Sequence, residues 1–376
     1  MWFARILLRC ERQIRFFSSP DSSQTRRVPK LYSDYENLMK LSPVQPASPR
    51  LLKVSIIGEP NSGKSTLTNR LVKWRVCSVS KKVHTTKHNT SVVMVDGDTQ
   101  IVFLDTPGLV SPEHGKKHNL EHSLVVDPET SILHADVIAV IVDASNINTS
   151  KQLSKELLKL LQQNSNRKSF LILNKVDKVK IKHDLLKISR TLIGEEEKIV
   201  IPKKDKMNLN VLFQETERKL SKEKPTADEL TEMKGWKNFS KVFMISALTG
   251  DGVDDIRNYL FSLAYPSSWI YHSSVVTNQS PEEIAIMTIR EKLLNHLPKE
   301  IPYNLDLKLE MLEETNEGLL RIAVLIICPR KSQVKLIIGG KGKIVSKISD
   351  EARQDLANTF RCNVSLKLII KHKDSE

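Results

Sequence analysis

The chain has 376 residues, of which 40% are hydrophobic and 27% are charged. This length and composition exclude a chain that is disordered throughout and predict two or three globular domains. Lysine and arginine outnumber the acidic residues by 58 to 44, and the resulting net charge of +14 favours an anionic partner, either nucleic acid or an acidic membrane surface.

The first element in chain order is a predicted mitochondrial presequence. Arg5, Arg9, Arg12 and Arg15 stand against a single acid, Glu11. Wound as a helix, this segment places three of the arginines opposite an apolar face. Arginine-rich, serine-containing amphipathic segments are typical of mitochondrial targeting. We therefore expect residues 1–18 to be a transit peptide and the protein to reside in the mitochondrial matrix; a frayed basic terminus is the alternative.

The next stretch predicts a linker followed by an α/β domain. Residues 19–50 are rich in serine and proline, which favours a flexible linker. Over residues 51–265, short apolar runs alternate with helical stretches, which predicts a mixed, mostly parallel sheet with helices on both faces. Residues 178–240 interrupt this alternation with many lysines and glutamates and predict an exposed insertion, partly helical and partly disordered.

The predicted strands of this domain are Val54–Gly58, Ser91–Val95, Ile101–Asp105, Val137–Asp143, Phe170–Asn174 and Val242–Ser246. The turn at Asp96 and Gly97 predicts that the second and third strands pair antiparallel.

A phosphate-binding loop is predicted where the first strand gives way to a helix. Residues 58–65 read GEPNSGKS and match the pattern GxxxxGK[ST] in that context. Backbone N–H groups and a helix N-terminus suit the phosphates of a nucleotide, Lys64 suits the β- and γ-phosphates, and the Ser65 hydroxyl suits Mg²⁺. The predicted loop comprises Gly58, Glu59, Pro60, Asn61, Ser62, Gly63, Lys64 and Ser65. The loop alone does not distinguish ATP from GTP.

Two segments are predicted to respond to the γ-phosphate. An aspartate at the end of the third strand suits the Mg²⁺ shell, and the N–H of Gly108 suits the γ-phosphate. A threonine upstream can bind Mg²⁺ only when the γ-phosphate is present, and we favour Thr86 over Thr85 for this role. The residues concerned are Thr85, Thr86, Asp105, Thr106, Pro107, Gly108 and Leu109.

Guanine is predicted as the base from residues 174–177, which read NKVD directly after a strand. The Asp177 carboxylate can accept hydrogen bonds from the N1–H and 2-amino groups of guanine, and adenine has neither donor. We expect Asn174 to brace the neighbouring loops and Lys175 to lay its alkyl stem over the base. Backbone N–H groups after the last strand are expected to close the pocket. The predicted base pocket comprises Asn174, Lys175, Val176, Asp177, Ser246 and Ala247.

Residues 271–376 predict an RNA-binding domain. The elements predicted in this range follow in the order helix, two strands, helix, glycine-rich turn, helix and strand. The GxxG loop at 339–342 lies in a stretch from Arg330 to Lys347 that has six basic residues and no acidic one. This layout is typical of a KH domain, here of type II, in which the GxxG backbone approaches phosphates closely; a solvated helical hairpin is the alternative. The expected core face comprises Val334, Ile337, Ile338, Ile344 and Ile348. The predicted RNA contacts are Lys335, Gly339, Gly340, Lys341, Gly342, Lys343 and Lys347.

Taken together, these segments resemble the Era family of GTPases, within the translation-factor-related class. The similarity rests on GEPNSGKSTL at 58–67, TTKH at 85–88, DTPGL at 105–109, NKVD, SALTGDGV, and the order of elements around IREKLL and IPY. It implies a monomeric, Mg²⁺-dependent GTPase whose KH domain binds small-subunit ribosomal RNA near its 3′ end and assists assembly of the mitochondrial small ribosomal subunit. The bound GTP or GDP would set the affinity for RNA. The insertion departs from the compact bacterial pattern.

The route of hydrolysis and two rival functions stay open. Leu109 stands where Ras-like enzymes have a water-orienting glutamine, so hydrolysis must rely on other groups. The resemblance implies that Asn61 helps to hold K⁺, whose charge would stabilise the transition state; the alternative is that Asn61 only braces the loop. One rival function is a GTP-gated protein in peripheral contact with the inner membrane. The other is a tRNA-modification GTPase, although no folate or flavin domain supports it.

Overall fold

The computed structural model describes residues 26–79, 90–105, 132–195, 233–298 and 301–373. They form two domains, each with its own β-sheet. Among them, no helix is both long and apolar enough to cross a bilayer. In chain order the elements are α1 (Tyr32–Lys40), β1 (Arg50–Ile57), α2 (Lys64–Val72), β2 (Thr90–Asp96), β3 (Thr99–Asp105), β4 (Val137–Asp143), α3 (Ile147–Lys151), α4 (Lys155–Gln163), β5 (Lys168–Asn174), α5 (His183–Leu192), β6 (Phe239–Met244), α6 (Val253–Leu263), β7 (Tyr265–Pro266), α7 (Pro281–His296), β8 (Asp306–Glu314), β9 (Leu320–Cys328), α8 (Lys331–Ile338), α9 (Lys343–Phe360) and β10 (Val364–His372).

The first sheet runs in the order β2-β3-β1-β4-β5-β6, and the short β7 pairs with β1. The pairs β1–β3, β1–β4, β4–β5 and β5–β6 are parallel, and β2–β3 is antiparallel across the turn at Gly97, which has a φ of 55°. The six predicted strands and the predicted antiparallel pair are thus confirmed. Strand β4 is apolar at every position before Asp143, as expected where helices cover both faces of a mostly parallel sheet.

Two hydrophobic cores lie on opposite faces of this sheet. Val140 belongs to the core that includes α4 and α5, whereas its neighbour Ile141 belongs to the core that includes α2 and α6. This division follows from the strand geometry, since successive side chains point to opposite faces. The second of these cores continues into the C-terminal domain, so apolar packing joins the two domains.

The stretch predicted as an exposed insertion contributes to the core at both its ends. Helix α5 buries Leu185 and Leu192, and the N–H of the buried Trp236 donates to the carbonyl of Leu192 over 2.9 Å. The prediction of an exposed segment is therefore wrong for these ends; residues 196–232 lie outside the described residues. The many charges obscured the helical spacing of the apolar residues.

Residues 26–50, which we call the N-terminal strap, form an ordered segment rather than the predicted flexible linker. The strap contains α1 and buries Val28 and Leu38. It ends at β1, and Lys30 forms a 2.6 Å ion pair with Glu314 of the C-terminal domain. The contacts that order the strap are made with partners far away in sequence. Such partners leave no local pattern.

The C-terminal domain has the predicted order of elements. Helix α7 begins with a capping box between Ser280 and Glu283 and has Pro281 in its first turn. Strand β9 pairs antiparallel with β8 and parallel with β10, and α8 and α9 connect β9 to β10. This arrangement positions the glycine-rich turn between two helices, as predicted for a KH domain.

Candidate nucleotide site and RNA surface

The P-loop joins the end of β1 to the first turn of α2. Asn61 and Gly63 have φ angles of 61° and 106°, and Gly63 is the N-cap of the helix. Left-handed residues within such a loop turn successive N–H groups toward one side, which creates a concave anion site. The helix N-terminus adds its partial positive charge at the same place. The residues present therefore fit a nucleotide phosphate.

Two glycines in this loop are required by close packing. A Cβ at Gly58 would lie 2.3 Å from the carbonyl oxygen of Ile141, and a Cβ at Gly63 would lie 2.2 Å from Nδ2 of Asn174. Both distances are far below van der Waals contact. The P-loop is thus packed against β4 on one side and against the predicted base-binding loop on the other.

Lys64 is buried and folds back over the P-loop. Its Nζ donates to the carbonyl oxygens of Gly58 and Glu59 over 3.1 and 3.0 Å. These contacts hold an ammonium group beside the concave face, where phosphate charge would be neutralised. Ser65 follows in the first turn of α2 and is half-buried, which suits a hydroxyl ligand of Mg²⁺. Burial, followed by the nearby charge of Glu156, raises the pKa of Glu59.

Asn174 ties three loops together. Its Nδ2 donates to the carbonyl oxygen of Ser62 over 2.7 Å, and its Oδ1 accepts from the N–H of Ala247 over 2.9 Å. The side chain is almost completely buried, so the predicted bracing contact is present. This contact fixes the P-loop relative to the base-binding loops.

Asp143 is a site residue that the sequence reasoning missed. Strands β4 and β5 end in register at Asp143 and Asn174, and Lys175 next to them has a left-handed φ of 63°. Nζ of Lys175 lies 2.5 Å from Oδ2 of Asp143. Burial works to raise the pKa of Asp143, but hydrogen bonds from Lys175 and Ser145 outweigh it and hold the pKa below its usual range. The ion pair positions the lysine stem predicted to cover the base.

Asp177 is exposed in a short turn after β5, next to the buried Val176. No hydrogen bond or ion pair among the described residues involves its carboxylate, so the group is open to a ligand. Ser246 and Ala247 differ from the prediction: their N–H groups donate to the Asp251 carbonyl and to Asn174, respectively. These two N–H groups therefore have partners within the protein and are not open to the base as expected.

The predicted switch residues fall mostly outside the described residues. Asp105 ends β3, and its Cα pairs with that of Ile56 in β1, just before the P-loop. The end of β3 is thus adjacent to the phosphate site. The remaining predictions, Thr85, Thr86, Thr106, Pro107, Gly108 and Leu109, lie outside the described ranges.

The GxxG loop presents an open backbone at Gly340 and Gly342, whereas a Cβ added at Gly339 would lie 2.6 Å from Cγ1 of Ile344. Gly339, Lys341 and Gly342 have φ angles of 70°, 54° and 77°. A Cβ added at Gly340 or at Gly342 would meet no heavy atom within 4 Å. The four lysines predicted to contact RNA are all exposed. They are Lys335, Lys341, Lys343 and Lys347.

The apolar face of α8 is narrower than predicted. Ile337 and Ile348 are buried and Val334 and Ile344 are half-buried, as expected of a core face. Ile338 was predicted to be in the core but is 38% exposed, and its neighbour Leu336 is 47% exposed. Successive helical residues point about 100° apart, so both neighbours of the buried Ile337 turn outward. Apolar side chains beside the lysines suit packing against RNA bases.

Comparison with known families also assigns a GTPase domain to the N-terminal part of the chain and a KH domain to the C-terminal part. A family described as "50S ribosome-binding GTPase" matches residues 53–175, and a family described as "KH domain" matches residues 300–376. The mitochondrial GTPase Era of Danio rerio is 40% identical over 367 residues, which cover 94% of this chain and 80% of that protein. GTPase Era of Brucella suis is 32% identical, with 86% and 88% coverage.

Solved structures give the same fold. Era of Aquifex aeolicus bound to GDP and AlF4⁻ superposes with a TM-score of 0.65 at 24% identity, covering 87% of this chain and 95% of that one. An Era structure in complex with MgGDPNP and nucleotides 1506–1542 of 16S ribosomal RNA superposes with a TM-score of 0.64 at 25% identity and the same coverage. The likeness extends over both domains.

Proposed function

Because this chain belongs to the Era family of GTPases, we propose that it binds small-subunit ribosomal RNA through its KH domain and assists assembly of the mitochondrial small ribosomal subunit. The observation that carries the proposal is the presence, on one chain, of a braced P-loop and an open, lysine-flanked GxxG loop. The choice of the small subunit is supported by the related Era structure that contains 16S ribosomal RNA.

The chain is a GTPase, and we assign the binding of its nucleotide to the following residues. Lys64 neutralises phosphate charge, and the P-loop N–H groups hold the phosphates in place. We assign Mg²⁺ coordination to Ser65, Asp105 and Thr86; when bound, the ion neutralises charge on the β- and γ-phosphate oxygens. Selection of guanine is assigned to Asp177, since its carboxylate is open and Asn174 fixes the loop that carries it.

Hydrolysis is assigned to charge stabilisation rather than to a water-orienting side chain. Leucine at position 109 cannot orient water. Asn61 lies at the exposed tip of the P-loop with left-handed backbone geometry. Its amide oxygen suits a monovalent cation, so we propose that K⁺ is held beside the phosphates and raises the rate.

The nucleotide is proposed to control RNA affinity, with GTP favouring the RNA-binding conformation and hydrolysis favouring release. We place this cycle in the mitochondrial matrix. The support is the arginine-rich N-terminal segment together with the mitochondrial names of similar animal proteins.

Crosslinking in intact mitochondria tests the proposal. The full chain is crosslinked to RNA, purified under denaturing conditions and the bound RNA is sequenced. We expect small-subunit ribosomal RNA, with crosslinks concentrated near its 3′ end. Crosslinks predominantly to tRNA would favour a tRNA-modification GTPase instead. If no RNA is enriched and the protein sediments with anionic inner-membrane vesicles, the basic surface serves a membrane and the proposal is wrong.

A further inference from the structure

One backbone N–H group is left open in the loop that follows β6. We call residues 246–251 the base loop, because they begin with the last two residues of the predicted base pocket. Every other N–H group of the base loop donates to an acceptor within the protein; these belong to Ser246, Ala247, Thr249, Gly250 and Asp251. Among the described residues, the N–H of Leu248 has no acceptor. Because a backbone N–H is a strong donor, this group is available to a ligand.

Leu248 lies beside the turn that carries Asp177. The N–H of Val176 in that turn donates to the carbonyl of Ile245 over 3.2 Å, and Asn174 accepts from the N–H of Ala247. Leu248 is 69% exposed, so its backbone is not enclosed by protein atoms. An open donor and an open carboxylate thus stand on neighbouring loops. Guanine matches this pair, because its O6 acceptor is next to its N1–H donor.

Arg70 of α2 holds the base loop from the other side. Its Nε donates to the carbonyl of Ala247 over 3.4 Å, and its Nη2 donates to the carbonyl of Leu248. The guanidinium also lies against Gly250, where an added Cβ would be 3.4 Å from both Cζ and Nε of Arg70. One side chain from outside the loop therefore fixes two consecutive peptide groups.

The bond to Ala247 determines where the open N–H points. The carbonyl of Ala247 and the N–H of Leu248 belong to one planar trans peptide, so they point in opposite directions. Because Arg70 draws the carbonyl toward α2, the N–H of Leu248 is directed away from α2. Rotation of this peptide would break the bond to Arg70. The guanidinium consequently sets the direction of the donor without touching the base.

Helix α2 connects this contact to the phosphate site. The helix begins at Lys64 in the P-loop, and Arg70 follows six residues later in its last turn. Six residues of α-helix span about 9 Å, and a helix of this length is rigid. The same rigid element therefore carries phosphate contacts at one end and the base-loop contact at the other.

We propose that Arg70 is a positioning residue for guanine recognition: it orients the peptide between Ala247 and Leu248 so that the N–H of Leu248 donates to O6 of the base. The inference rests on the proposed selection of guanine by Asp177. It deepens that selection, because it adds a hydrogen bond to a different atom of the base.

The test compares three variants of the full chain. Arg70→Met removes both hydrogen bonds to the base loop, and Arg70→Lys keeps one donor group. Lys73→Met is the matched control: it removes one positive charge from the same end of α2, at an exposed side chain that makes no hydrogen bond or ion pair among the described residues. Dissociation constants are measured for GDP and for 6-thioguanosine diphosphate, in which sulfur, a weak acceptor, replaces O6. Thermal melting confirms folding.

We expect Arg70→Met to lower the affinity for GDP about tenfold and the affinity for the thio analogue less than about twofold, as loss of one hydrogen bond to O6 predicts. The preference of the protein for GDP over the analogue should therefore fall. Arg70→Lys should lie between wild type and Arg70→Met, and Lys73→Met should stay within about twofold of wild type. If Arg70 only stabilised the fold, both affinities would fall together in Arg70→Met, and that result overturns the inference.

A measurement on the unaltered protein covers the case in which Arg70→Met does not fold. Hydrogen exchange at the Leu248 amide should be slower with GDP bound than with the thio analogue bound, and equal exchange would refute the donor. The proposed selection of guanine fails separately, if Asp177→Asn binds GTP as wild type does. If Asp177→Asn weakens GTP binding but Arg70→Met keeps the wild-type preference for GDP over the analogue, only the present inference is wrong.

Discussion

We assign phosphate binding to backbone N–H groups of both the P-loop and the GxxG loop, but the two loops differ in what surrounds them. At Gly63 an added Cβ would lie 2.2 Å from Asn174, whereas at Gly340 it would meet nothing within 4 Å. The protein itself completes the first site, which suits one small ligand held in a fixed position. The second site is open to solvent at Gly340, which suits a polymeric ligand.

The largest expected effect comes from adding one methyl group to the P-loop, and the same addition to the GxxG loop provides the comparison. Gly63→Ala should lower nucleotide affinity about a hundredfold or more, because the clash with Asn174 adds to strain at a φ of 106°. Gly340→Ala should change RNA affinity by less than about threefold, since the added group meets open space. Titration with fluorescent GDP and with RNA measures both. Similar losses in the two variants would contradict the contrast between the loops.

A fixed pocket should discriminate ligands that differ by a few atoms. Asp177→Asn should lower GTP affinity about a hundredfold and favour xanthosine triphosphate, whose 2-oxo group accepts a hydrogen bond from the amide. Competition binding with both nucleotides measures the exchange. An Asp177→Asn variant with wild-type GTP affinity would show that the guanine contact lies elsewhere.

RNA binding at the GxxG loop should be weakened by added negative charge rather than by added side-chain volume. Changing Gly340 and Lys341 together to Asp places carboxylates where phosphates must approach, so RNA affinity should fall about tenfold or more and the salt slope by roughly one per lost contact. Lys187→Asp, at an exposed lysine on α5, lowers the net charge by two of the three units lost in the double variant and is the control for net charge. GTP affinity should stay unchanged. If the double variant binds RNA with the parental affinity and salt slope, this loop is not the RNA site.

A smaller effect should appear at the exposed tip of the P-loop. Hydrolysis should be about tenfold faster in K⁺ than in Na⁺ at equal ionic strength, a modest part of what an arginine finger supplies. Asn61→Ala should remove the difference without abolishing GTP binding. Equal rates of phosphate release in the two salts would exclude the K⁺ proposal and leave the GTPase assignment intact.

The smallest effect concerns the ion pair behind the base pocket. The pKa of Asp143 is lowered in the folded state, so its stabilising contribution is present above the unfolded value of about 3.9 and is lost as the pH falls through the folded value. Lys175→Met should therefore lower the free energy of unfolding by on the order of 1 kcal/mol or less at pH 7. Urea denaturation should show the difference shrinking toward pH 2; a difference independent of pH would show that the charge pair contributes nothing.

Sequence patterns predicted the features that depend on neighbouring residues. The P-loop, the apolar strands and the GxxG loop each have a local signature, and the structure contains all three. The missed features depend on residues far apart in sequence. Asp143 meets Lys175 only because β4 and β5 pair, and Glu291 meets Arg75 only because the domains pack together. Neither partnership leaves a pattern along the chain.

The errors have the same physical cause. Composition favoured a flexible linker at residues 19–50, but α1 is stabilised by tertiary contacts rather than by its own propensity. Ile338 was assigned to the core from the near-helical spacing of the apolar residues around it, although its position one residue beyond Ile337 turns it outward. Side-chain type is readable from sequence, whereas the direction that a side chain faces depends on where the helix packs.

The N-terminal strap has a consequence for how the chain acquires its structure. Hydroxyl Oη of Tyr35 donates to the carbonyl of Asn278, and Lys30 pairs with Glu314, so partners are 243 and 284 residues apart. Contacts across such separations close large loops and form slowly. A chain that enters a compartment N-terminus first would carry the strap inside before any of its partners arrive. The strap would then dock last, after both sheets have formed, and its docking would complete folding.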